Sequence, residues 1–204
     1  MTTAKNNYVR YGTVAMSFHW IIAILIITNV VLGVWFVGVM APKDTMRRMV
    51  VGWHESIGMT VLTLSILRLG WRLMNPIPKL PSDFSPMKRM LARGTHSLLY
   101  ALMIIVPFLG WAFASAPARP LMIYGQVFPK LPFMTGVTDP VALRAMVGPY
   151  VQGHIILGFL LFALAVAHIA AAVFYHYMIR KDQILQRMIP GTEVSPMGID
   201  HAAS

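Results

Sequence analysis

The chain has 204 residues, of which 57% are apolar and only 12% charged, and it carries a formal charge of +10. A soluble domain of this length cannot bury that much apolar surface, which excludes a water-soluble globular enzyme. The basic residues flank the apolar stretches instead of forming a basic face interleaved with aromatics, which excludes nucleic acid as a partner, and cysteine is absent, which excludes disulfides, thiolate zinc, iron–sulfur clusters and covalently attached haem.

No Lys, Arg, Asp or Glu occurs between Gly12 and Pro42, so the first membrane helix is expected over residues 14–40. It is too long for a signal-peptide core and carries His19 and Trp20 in its first turns, so it is read as retained. A second helix over 49–69 contains Glu55 directly after His54, and a third over 95–117 contains Pro107 as an expected kink. The connection between these two is punctuated by Asn75, Pro76, Ile77, Pro78 and Pro81. The loop from Ala118 to Pro149 is apolar enough, with Tyr124, Phe128 and Phe133, to lie on the membrane surface. Within it Asp139 and Pro140 read as an N-cap and first position of a short helix over 141–146. A fourth membrane helix follows over 148–178. Residues 1–190 thus form one transmembrane domain of the all-α class, an integral membrane four-helix bundle, with 191–204 a loose cytoplasmic tail in which His201 faces solvent.

Lys and Arg set the orientation. With both termini in the cytoplasm, eleven cations lie inside and six outside, which favours that choice in a bacterial inner membrane. The outer side then carries six cations against Asp44, Glu55 and Asp139, a balance that suits either a small anion or anionic lipid.

Histidine in a membrane span is costly without a partner, so such residues mark function. His154 and His168 are 14 residues apart, which returns to within about 40° of one helix face and separates them by about 21 Å along the axis. Two stacked haems need that arrangement. His19 lies near the cytoplasmic start of its helix and His54 near the outer start of the next, so depth pairs His19 with His168 and His54 with His154 as axial ligands of haem iron. Two imidazoles per iron leave no open position, which suits electron transfer. Gly33, Gly58 and Gly158 can admit a flat porphyrin or serve helix packing. Arg68 and Arg72 can pair with haem propionates or extend to headgroups. Glu55 is read as lying in the outer headgroup zone, and His96 and His176 as contacts to quinone or propionate or as interface markers. The sixteen Met are read as core filler.

Several of these pieces resemble the bacterial di-haem cytochrome b561 family of four-helix membrane cytochromes b. They are Ser17-Phe18-His19-Trp20, His54 with Gly58 followed by Arg68 and Arg72, Thr95-His96, His154 with His168, and the Arg-Lys-Asp-Gln-Ile-Leu-Gln-Arg-Met-Ile-Pro run at 180–190. The resemblance covers nearly the whole chain. It implies two non-covalent b haems, with His19 and His168 on the cytoplasmic side and His54 and His154 on the periplasmic side. It also implies electron transfer between a periplasmic donor, a small molecule or redox protein, and membrane quinone. Superoxide is a candidate donor, which makes a quinone-reducing oxidoreductase of the superoxide oxidase kind one expectation. Two rivals stand beside it. One is a cytochrome b anchor subunit of a larger oxidoreductase such as a hydrogenase or formate dehydrogenase; the other is a haem-free transporter using His for ions or protons, which lacks paired membrane carboxylates and a visible inverted repeat.

Overall fold

The computed structural model describes residues 3–195, so the tail from 196 onward, with His201, lies outside the described residues. Four helices are long and apolar enough to cross a membrane: α1 Thr13–Gly38, α2 Arg47–Leu73, α3 Pro86–Ser115 and α4 Pro140–Ala170, the last continuing as a π-helix over Ala171–Arg180. Their outward faces are apolar and open, with Ile24 and Phe159 each 62% exposed, a surface that lipid and not water must cover.

Three of the four helices start where the sequence supplies a side-chain acceptor. Asp44 accepts from the Met46 N–H ahead of α2, Ser85 accepts from the Lys88 N–H at α3, and Asp139 accepts from the N–H groups of Val141 and Ala142 at α4. Pro86 and Pro140 occupy first helical positions, where the missing N–H is harmless. The third helix therefore begins at Pro86 and not near residue 95, because the cations of 88–93 belong to its first turns and not to a flank. Arg89 fastens those turns by donating to the carbonyls of Phe84, Pro81 and Ser82. The short helix expected over 141–146 is the opening of α4 itself. Leu143, Met146 and Val147 pack on Ala112, Ala116 and Met134, and this apolar contact carries the helix on through Pro149. The third helix likewise runs on through Pro107.

The loop expected to lie on the membrane surface contains regular structure. Strands β1 Leu121–Ile123 and β2 Gln126–Phe128 form an antiparallel hairpin whose two turn residues, Tyr124 at φ 50° and Gly125 at φ 75°, make a primed turn. Leu121 and Ile123 are buried with Ala114 against Met59, Trp111 and Phe128. Tyr124 docks on α2, its N–H on Ser56 Oγ at 2.9 Å and its hydroxyl at 2.8 Å from that of Thr60.

The helices contribute to two compact units. One comprises Met1–Ile21, Leu67–Tyr100 and Ala163–Ser204, as far as these are described; the other comprises Ile22–Ile66 and Ala101–Phe162. In the first unit the segment after α4 acts as a strap. Lys181, at φ 55°, turns the chain, and Arg180 bonds both Asp182 and Asp83 at 2.8 Å. That guanidinium holds the Asp83 carboxyl below the usual carboxylate range, so the pair is ionised at neutral pH. Trp20 Nε1 donates to the Met188 carbonyl, Arg10 to that of Thr192, and Arg187, 5% exposed, to that of Lys79 at 2.6 Å. Arg187→Met would remove the hydrogen bond from this charged, buried donor to the Lys79 carbonyl, at a cost of about 1.5–3 kcal/mol. Thermal unfolding in detergent is expected to show a lowered midpoint for this variant and an unchanged one for Glu193→Gln.

Candidate haem-binding sites

In the second unit His54 comes from α2 and His154 from α4, and their ring centroids lie 5.9 Å apart with planes at 77°. Each ring is fixed by its Nδ1. His54 Nδ1–H donates to the Asn29 carbonyl of α1 at 3.0 Å, and His154 Nδ1–H to the Val106 carbonyl of α3 at 2.9 Å. That assignment leaves both Nε2 lone pairs free, as metal ligation requires.

Small residues complete the surround. A Cβ on Gly33 would lie 3.2 Å from His54 Cε1, and one on Gly110 3.2 Å from both Cε1 and Nδ1 of His154. Phe36 meets the edge of His54 at 5.3 Å and Phe113 that of His154 at 5.5 Å. Arg47 lies over the Phe36 ring at 5.5 Å and donates to the carbonyls of Phe36 and Met40, closing the C-terminal end of α1 beside the site. Gly58 faces the Asn29 side chain and Gly158 faces Val106, so these two serve packing at ordinary contact distance.

In the first unit His19 of α1 and His168 of α4 stand 6.2 Å apart at 75°. Here the ring surroundings are cationic. Arg68 Nη2–H donates to His19 Nδ1 at 3.0 Å, and Arg68 and Arg72 both stack over Tyr100, at 5.3 and 5.6 Å. Arg68 therefore turns inward and does not extend to headgroups. His96 lies 5.3 Å from His168 at 83°, its Nδ1–H donating to the Ala92 carbonyl of its own helix at 2.6 Å. His176 is engaged elsewhere: its Nδ1 meets Asp182 at 2.8 Å and its ring stacks on Phe84. Glu55 pairs with Arg119 at 3.6 Å at the base of the hairpin loop.

Both His pairs have a ring spacing that suits an iron held between two imidazoles, but at His19 the Arg68 guanidinium, which can only donate, faces Nδ1, so ligation through Nε2 would require that contact to open. Metal–imidazole bonds of about 2 Å on opposite sides of one ion put ring centroids about 6 Å apart. Among the described residues no group of three or more His, Asp or Glu is placed to hold a bare metal ion, so paired histidines are the available donor sets. Sequence reasoning missed Gly110, Arg47 and the two carbonyl acceptors. Each depends on how neighbouring helices are registered, which no periodicity within one helix reveals.

The sequence profile of prokaryotic cytochrome b561 matches residues 10–191. The chain belongs to the prokaryotic cytochrome b561 family. A cytochrome b561 homolog 2 of Escherichia coli (strain K12) is 29% identical over 194 residues, covering 95% of this chain and 98% of that protein. A probable superoxide oxidase CybB of Yersinia pestis is 26% identical, covering 89% and 96%. A cytochrome b562 of Cereibacter sphaeroides is 28% identical, covering 88% and 94%. Membership in the cytochrome b561 family brings electron transfer and haem b, in a multi-pass membrane protein with four spanning helices.

The close approach at Gly110 makes a prediction for this cytochrome b561. Gly110→Leu places branched carbons where the His154 ring stands and is expected to lower the haem recovered per chain. Gly94→Leu, where a Cβ meets nothing within 4 Å, is expected to leave it unchanged. Pyridine haemochrome assay of the purified variants makes the comparison.

Proposed function

We propose that this chain is a di-haem electron carrier that passes electrons from a periplasmic donor to membrane quinone. The observation that carries the reading is the existence of two histidine pairs, at 5.9 and 6.2 Å, each drawn from two spanning helices. Iron held by two imidazoles in each b haem would supply one-electron chemistry with no open position for oxygen. His54 and His154 would hold the periplasmic-side group and His19 and His168 the cytoplasmic-side one, with both termini in the cytoplasm as the eleven to six division of cations favours.

The residues around each pair do the remaining work. The Asn29 and Val106 carbonyls keep the proton on Nδ1 of His54 and His154, so Nε2 of each would be free to bind an iron. Apolar helix faces and lipid keep bulk water away, which limits the reorganisation that accompanies each change of charge. His96, beside His168, is the residue we assign to the quinone headgroup on the cytoplasmic side. Superoxide is the donor we favour among small anions. Two superoxide ions each lose one electron to give two O2, and the two electrons with two protons convert one quinone to quinol. The six outer cations would draw such an anion toward the periplasmic face.

The test is reconstitution of the purified protein in vesicles containing ubiquinone, with superoxide generated on the outer side. The expected result is rapid haem reduction and quinol formation, with His96→Ala slowing quinol formation while leaving haem reduction intact. Haem that stays oxidised would reject superoxide as donor. Equal quinol formation in His96→Ala would reject the placement of quinone.

A further inference from the structure

Two arginines of the first unit leave the same side of the guanidinium unused. Arg10, just ahead of α1, donates through Nη1 to the Thr192 carbonyl at 2.8 Å, and Arg187 of the strap donates through Nη1 to the Lys79 carbonyl at 2.6 Å. Arg10 Nε and Nη2 and Arg187 Nε are buried, and among the described residues they have no hydrogen-bond partner. Nε and Nη2 together form the fork that grips an oxyanion through two parallel N–H bonds. Among the described residues no carboxylate forms a salt bridge to either arginine. A buried cation with no counter-charge is costly, and Arg187 is only 5% exposed, so the pair calls for an anion from outside the chain.

Both arginines belong to one assembly. The Lys79 N–H donates to the Tyr8 carbonyl at 2.9 Å, the Asn6 side chain to the Pro76 carbonyl at 3.1 Å, and the Thr192 hydroxyl to the Gln186 carbonyl at 2.7 Å. These bonds join the segment before α1, the connection between α2 and α3, and the strap. Lys79 adds a third cation, its Nζ over the Tyr8 ring at 5.5 Å. Alongside runs a groove of about 370 Å³, lined by Met16, Ser17, Trp20 and Ile21 on one face of α1 and by Pro190, two residues before the Thr192 carbonyl that Arg10 holds. Trp20 and Ile21 are exposed in the first turns of a spanning helix, where lipid is the neighbour. We propose that Arg10 and Arg187 bind the phosphate of an acidic phospholipid whose acyl chain lies in the groove against Trp20 and Ile21. Three cations without a paired carboxylate favour a headgroup of net negative charge. The fork lies beneath the surface, so phosphate enters by a shift of the half-buried Arg10 side chain toward the groove. The lipid would fasten the strap to the start of α1, a role apart from electron transfer and independent of which residues bind haem. The orientation proposed above places it in the cytoplasmic leaflet.

Native mass spectrometry of the purified, delipidated protein tests this, with phosphatidylglycerol titrated in detergent and, in parallel, diacylglycerol carrying the same chains. The chain is expected to retain one phosphatidylglycerol and no diacylglycerol. Arg10→Gln removes the charge and the fork together and is expected to weaken retention about tenfold or more. Arg10→Lys keeps the charge alone and is expected to fall between the two. Haem recovered per chain is expected to be unchanged in both variants. Equal retention of diacylglycerol would mean that the groove binds without the arginines, and undiminished retention in Arg10→Gln would mean that the fork is not used; either overturns the inference. Displacement of the lipid by an equal concentration of inorganic phosphate would make free phosphate the ligand and overturn the lipid assignment. A fall in haem in Arg10→Gln with lipid retention unchanged would also overturn it, by giving Arg10 to a haem propionate. If Arg10→Gln fails to fold, the comparison of the two lipids on the wild-type chain still decides the question.

Discussion

His154→Ala is expected to halve the haem bound per chain and to remove one of two low-spin components from the visible spectrum. The ring at 154 has no substitute. Its partner His54 lies 5.9 Å away, and among the described residues no other histidine contacts that pair. Alanine there also leaves the Val106 carbonyl, now the acceptor of the His154 Nδ1–H at 2.9 Å, without its donor. The surviving His19/His168 pair belongs to the other compact unit and is expected to keep its haem, its low-spin bands and its response to reductant. Transfer from an outer donor to quinone is expected to fall to background, since one pair alone cannot carry electrons through the bilayer. Haem extraction and stopped-flow reduction of the same preparation check both statements. Retention of two haems by His154→Ala would mean that His154 is not a ligand.

His19→Ala is expected to remove the other haem, and His96→Ala to leave both in place. The contrast matters because His96 approaches His168 more closely than His19 does, 5.3 Å against 6.2 Å between ring centroids. One feature favours His19: its spacing from His168, unlike that of His96, matches the distance of about 6 Å expected across an iron. Haem counting on the two variants separates the alternatives. Loss of a haem in His96→Ala with retention in His19→Ala would exchange their roles and move the quinone assignment to α1.

The four spans were legible because charge is excluded from them, and lipid imposes that exclusion residue by residue. The pairing of the four histidines was legible for a related reason. Depth in a membrane helix is counted from its charged ends, so His19 and His168, or His54 and His154, can be matched without knowing how helices pack. Packing itself was not legible. Gly33 was singled out and does meet His54, yet Gly58 and Gly158 were chosen on the same reasoning and meet Asn29 and Val106 instead, while Gly110 was passed over. The register of one helix against another distinguishes these four glycines, and single-chain periodicity contains no information about it.

The interfacial segments show the same limit. The hairpin over 121–128 turns on Tyr124 and Gly125, a pair that lacks the Asn-Gly or Asp-Gly signal of a primed turn, and its docking depends on Ser56 and Thr60, more than sixty residues earlier. The 180–190 run was recognisable only through family resemblance. Its physical reason appears in the strap, where Arg180, Asp182 and Arg187 reach Asp83, His176 and Lys79. Arg68 had two readings, headgroup or propionate, and its contact with His19 Nδ1 follows from a 49-residue separation that helix geometry within α2 cannot resolve.

The central claim is that each of two histidine pairs holds a b haem, and a reduced-minus-oxidised visible spectrum of the detergent-purified protein, with haem extracted and counted per chain, tests it most directly. The account predicts two extractable haems and low-spin bands that carbon monoxide leaves unchanged. A single haem, a high-spin spectrum, or no haem from cells supplied with it would contradict the account.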